Sequence, residues 1–147
     1  MPSKQLAPIM ALLLASCGQG GVGNVPGDTS DESAYSGIAE GEVINLTGTE
    51  PFWNARIEGK TMLYRTPENM DGLRVPVARF AGRGGLAFNG MLDGRDLDLA
   101  ITPAQCSDGM SDRSYPYVAT LQIGRDLREG CAWLEGDDIG EPQAAPR

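Results

Sequence analysis

The chain contains no histidine. This excludes Ser-His-Asp and Cys-His catalysis, histidine-ligated zinc and an imidazole switch near neutral pH. Lysine is almost as scarce, with Lys4 and Lys60 its only representatives. Twelve Lys+Arg face twenty Asp+Glu, giving a formal net charge of −8 and a pI of about 4.4. No cationic footprint for a phosphate backbone exists, so nucleic acid is not the expected partner. No apolar run reaches the roughly 20 residues that span a bilayer core, and no window of ten or more residues carries a 3.6-residue period. The methionines at 62, 70, 91 and 110 form no Met-x-x-Met copper pattern, and their expected role is packing. Asp93, Asp96 and Asp98 lack the ligand order of an EF-hand and read as a solvated hairpin face, so no metal site is expected. A length of 147 residues leaves little room for a second domain.

The cysteines are three, an odd number, and the first has its own explanation. Residues 1–16 carry one cation, Lys4, then an apolar run from Leu6 to Ala15, the length of a secretory h-region. Leu14-Ala15-Ser16-Cys17 follows at its end and resembles the lipobox of bacterial lipoproteins. That resemblance implies removal of residues 1–16 as a signal peptide, with lipid attachment at Cys17 through a diacylglycerol and an N-acyl chain. No other cofactor is expected. It also implies a periplasm-facing chain anchored in the cell envelope, and Gly18 after the cysteine favours the outer membrane. Two or three acyl chains anchor stably, because each buried methylene contributes about 0.8 kcal/mol and one chain alone is marginal.

Cys106 and Cys131 are left as a pair in a chain sent to an oxidising compartment, so a disulfide is expected between them. Neither sits in a C-x-x-C or beside a cation that would tune a thiolate. Closing a loop of about 26 residues is worth roughly 3.5 kcal/mol in the chain-entropy picture.

Residues 17–42 are glycine-rich and acidic, with few large apolar side chains, and read as a lipid anchor and flexible tether. Gly18-Gln-Gly-Gly-Val-Gly23 matches a dinucleotide fingerprint in letters only, since no strand precedes it and no helix follows. Residues 136–147 read as a disordered tail. Between them, residues 43–135 show short alternating runs separated by turns. Trp53, Ala55 and Ile57 share one face of a strand over 51–57. Residues 60–66 alternate with an ambiguous inward face. Pro76 marks the run 75–80 as an edge or irregular strand, because proline cannot donate to a ladder. Leu86, Phe88, Gly90 and Leu92 share a face, as do Leu97, Leu99 and Ile101, and Asp93-Gly94 joins the two runs as a hairpin. Runs over 117–123 and up to Trp133 complete the series. The expectation is an all-β fold: a small antiparallel meander closed or nearly closed into a barrel of seven or eight strands, with one disulfide.

Three segments are more specific than their surroundings: Gly48-Thr-Glu-Pro-Phe-Trp53, Cys106-Ser-Asp-Gly-Met-Ser-Asp-Arg-Ser-Tyr-Pro116 and Gly130-Cys-Ala132. Together they resemble an uncharacterised family of bacterial envelope lipoproteins, similar in style to the META domain and to membrane-bound inhibitors of C-type lysozyme. The resemblance implies a small barrel and carries no settled activity. The inhibitors' Ser- and Lys-containing loop has no counterpart here, since Lys60 lies in a Gly-Lys-Thr turn.

Glu50, Trp53, Asp108, Asp112, Arg113 and Tyr115 are the polar and aromatic members of these segments and the candidate binding residues. They admit two arrangements. In one they meet at a barrel mouth, with Glu50 or Asp112 paired to Arg113 and Trp53 as a platform for a cell-wall fragment. In the other, Trp53 fills the core and the aspartates cap turns. The expected function is a non-enzymatic binding or envelope-maintenance module, acting on a cell-wall fragment or an envelope protein. Inhibition of a lysozyme-like hydrolase is one alternative. Hydrolysis of cell-wall material by Glu50 and an aspartate of the 108–112 loop is another.

Overall fold

The computed structural model describes residues 33–140. The leader, Cys17, the tether up to residue 32 and the tail from residue 141 lie outside the described residues. Eight strands follow in chain order: β1 (Ile44–Thr49), β2 (Phe52–Glu58), β3 (Thr61–Thr66), β4 (Asn69–Ala81), β5 (Leu86–Leu92), β6 (Arg95–Cys106), β7 (Tyr115–Ile123) and β8 (Asp126–Leu134). Each pairs antiparallel with the next, and β8 returns to pair with β1, closing the barrel. No helix occurs among the described residues.

The seven runs read from alternation are all strands. The one that completes the ring is β1, whose inward residues Ile44 and Leu46 are followed by Gly48, a faint alternating signal in sequence. The core holds the faces expected: Trp53, Ala55 and Ile57; Leu86, Phe88 and Leu92; Leu97, Leu99 and Ile101. In β3 the inward side chains are Met62 and Tyr64. Aliphatic and aromatic side chains fill the interior, and no charged or polar residue is wholly buried among the described residues.

Three expectations change, one about β4 and two about the termini. Pro76 is not on an edge, because a closed ring has none. Instead it ends the β3–β4 ladder opposite Thr61, and the β4–β5 ladder begins at the next residue, with Val77 opposite Gly90. The missing N–H thus falls where a thirteen-residue strand changes partners. The packed domain also starts before residue 43. Tyr35 donates its backbone N–H to the Gly82 carbonyl at 2.7 Å, and Ile38, 1% exposed, belongs to the core. At the other terminus, Asp137 accepts the Leu134 N–H at 2.8 Å and the Ile139 carbonyl accepts the Ser114 N–H, so residues 136–140 pack on the domain rather than trail as a tail.

The two ends of the barrel differ. Residues 35–42 cover the end that carries the β2–β3 and β4–β5 turns, where Arg79 donates to the Ile38 carbonyl at 2.7 Å. The end formed by the β1–β2, β3–β4, β5–β6 and β7–β8 turns is open.

Candidate functional site

The six residues singled out from sequence do not share a barrel mouth. Trp53 is 2% exposed and points into the core, its ring centroid 6.2 Å from that of Tyr64. Its indole N–H is directed at the Glu129 carbonyl, 3.4 Å away. The neighbouring glycines make room for it. A Cβ on Gly48 would strike the indole nitrogen and come within 2.6 Å of the Glu129 carbonyl oxygen, and one on Gly130 would strike the Thr47 carbonyl and lie 3.0 Å from the indole ring. The Gly-Thr-Glu-Pro-Phe-Trp and Gly-Cys-Ala segments are therefore two halves of one packing arrangement. A solvent-facing platform is ruled out for Trp53.

The central segment is a loop folded back on the outside of the barrel. The Cys106–Cys131 disulfide ties the bulged end of β6 to β8. Cys131 alternates with inward Gly130 and Ala132 and therefore faces outward, buried by the covering chain. Asp108 pins the loop through four donors: the N–H groups of Met110 at 2.9 Å and Ser111 at 2.8 Å, the Ser111 hydroxyl at 2.7 Å and the Tyr115 hydroxyl at 3.0 Å. Partial burial works against its charge, but these donors prevail and hold the carboxyl down at about 2. Tyr115 is buried beside Trp133, ring centroids 5.2 Å apart. Burial and the bond to Asp108 push its phenol up, while the neighbouring Arg113 guanidinium opposes the rise.

Arg113 is half-buried and takes part in none of the four ion pairs among the described residues, which are Arg56–Glu58, Arg56–Glu135, Arg79–Glu40 and Arg95–Asp126. Its expected pairing with Glu50 or Asp112 is absent. Asp112 and Glu50 are both exposed. Of the six, only Glu50 and Asp108 line a common depression, about 590 Å³ on the outer wall, together with Thr47, Leu127 and Glu129. There the Asp108 carboxylate is already occupied by its own loop.

The open mouth holds a group of residues that sequence reasoning missed. A concavity of about 530 Å³ lies between the four turns, floored by Leu73, Leu92 and Ile123. Tyr64, Arg95 and Arg128 line it, and Phe52, 52% exposed, stands on its rim. Arg128 pairs across the ladder with inward-facing Leu121, so it occupies an interior position of β8. Its Nη1 donates to the Tyr64 hydroxyl at 2.9 Å, and its Nε is buried with no hydrogen-bond acceptor. The next residue toward the turn, Leu127, is 60% exposed. The binary pattern is inverted at this point, with the apolar side chain outside and the cation inside. Burial raises the Tyr64 phenol above its ordinary value although Arg128 and Arg95 oppose it, so the hydroxyl stays protonated near neutral pH. That hydroxyl accepts from Arg128 and keeps its own proton to donate. Arg128 shares a face with Gly130 and Ala132, a parity readable in the sequence once β8 is placed.

Comparison with protein families, curated proteins and solved structures finds no match.

Proposed function

We propose that this chain is a lipoprotein of the bacterial envelope, anchored through Cys17, whose barrel is a non-enzymatic binding module with its ligand at the open mouth. The observation that carries the binding part is the concavity itself, floored by core side chains and lined by Arg128 and the Tyr64 hydroxyl. The anchoring part rests on the lipobox-like Leu14-Ala15-Ser16-Cys17. Hydrolysis is set second: Glu50 and Asp108 line one depression on the outer wall, but the Asp108 carboxylate is engaged by four donors of its own loop.

The test has two arms. The wild-type chain should sediment with bacterial membranes and Cys17→Ser should be released, whereas unchanged sedimentation would overturn the anchor. The released chain, titrated with a muropeptide digest and followed by NMR, should show shifts at Tyr64, Leu92 and Arg128. Shifts confined to the outer-wall depression would move the site there. Loss of lysozyme activity on adding the chain would replace this reading with inhibition.

A further inference from the structure

An arginine in an interior strand position is costly unless its charge is matched. Withdrawing a cation from water, even in part, is unfavourable, and a partner of opposite charge or several good acceptors offsets it. Arg128 has one hydrogen-bond partner, the neutral Tyr64 hydroxyl, and the exposed rim carboxylate of Glu68 acts on its charge only from beyond ion-pair distance. No carboxylate lies within ion-pair distance of it among the described residues, and its Nε has no acceptor. The other mouth arginine differs, since Arg95 is bound to Asp126 at 3.1 Å. The guanidinium of Arg128 and the hydroxyl of Tyr64, which keeps a proton to donate, belong to side chains lining the concavity above the apolar floor.

We infer that the mouth takes the carboxylate of an apolar-bodied monoanion, with its head on Arg128 and Tyr64 and its body over Leu73, Leu92 and Phe52. This rests on the reading that the mouth is the binding site. A carboxylate suits the planar donor fork of an arginine and can accept the tyrosine proton as well. A dianion suits the mouth less. Glu68 and Asp93 stand on the same rim, only one of the two arginines lacks an acid partner, and the chain as a whole carries −8. A fatty acid and the C-terminus of a short apolar peptide share this chemistry.

The experiment uses the full chain with Cys17→Ser, titrated by NMR with octanoate and with N-acetyl-alanyl-leucine as the lipid and peptide arms. Octanamide and the peptide amide are the uncharged controls, and octanedioate supplies the second negative charge. At least one carboxylate should shift mouth resonances and bind at least tenfold more tightly than its amide. Octanedioate should bind more weakly than octanoate, and Arg128→Gln should abolish the preference for carboxylate over amide. The arm that binds more tightly identifies the source. Equal binding of acid and amide, or an unchanged preference in Arg128→Gln, would overturn the anion inference and leave the mouth as a binding site. Failure of every probe to shift the mouth would overturn both. Should Arg128→Gln not fold, the acid–amide comparison on the parent chain decides.

Discussion

At the scale of single residues, the specific segments of this sequence are explained mostly by packing and hydrogen bonding. Trp53 needs flat neighbours, and Gly48 on β1 and Gly130 on β8 supply them. Asp108 gathers four donors onto one carboxylate, an arrangement that favours the charged form. An aspartate in the unfolded chain titrates near 3.9, and in the folded chain this one is held at about 2. The folded value is the depressed one, so the stability it contributes is complete above about pH 4 and is lost as pH falls toward 2. Asp108→Asn should therefore be less stable than the parent chain by roughly 1.5–3 kcal/mol at pH 7, the range for hydrogen bonds to a charged group. The gap should close as the pH is lowered to 2. Urea unfolding of both chains from pH 7 to pH 2 measures it, and a gap that stays constant throughout would show that the charge of Asp108 is not what holds the loop.

At the scale of elements, the loop between β6 and β7 lies on the barrel wall because three attachments hold it there. These are the disulfide, the Asp108 cluster and the stack of Tyr115 on Trp133. Replacing both cysteines by alanine should cost about 2–4 kcal/mol and should speed amide exchange over residues 107–114 more than in β5. Uniform acceleration across the barrel would mean that the bond supports the whole sheet and not this attachment. The disulfide and the β5–β6 hairpin were legible in the sequence because each depends on local or countable features. Asp93 and Gly94 both take positive φ at the expected turn. Pro76 was legible as an irregularity, yet its role in a change of partners depends on which strands lie on either side. Arg128 was not legible as a site residue, because its inward position follows from the register of β8 against β7 and from closure of the ring. The Gly-Thr-Glu-Pro-Phe-Trp and Asp-Gly-Met-Ser-Asp segments stood out correctly as special, but sequence alone left open whether they bind something or hold the fold. The structure places Trp53 and Asp108 among the groups that hold it.

At the scale of the whole molecule, the barrel has one end covered and one end open, and the cover comes from a stretch whose composition suggested a tether. Glycine and acidic residues dominate that stretch, and the burial of Ile38 depends on a cavity formed only when eight strands have closed. Tyr35 adds a backbone bond to Gly82, and Arg79 reaches the Ile38 carbonyl while its guanidinium lies 3.6 Å from Glu40. Because the exposed ion pair contributes little, Ile38 itself should carry most of the stabilisation. Ile38→Ala should lower the free energy of unfolding by about 2–5 kcal/mol, read from a lower urea midpoint at unchanged slope. A chain beginning at Val43 should lose at least as much. The mouth lies at the opposite end, so Ile38→Ala should bind the tighter of the two carboxylate probes as the parent does under native conditions. An unchanged midpoint would mean that residues 35–42 rest on a barrel already complete. Loss of binding in a folded variant would mean that the cover sets the geometry of the mouth through the core between them.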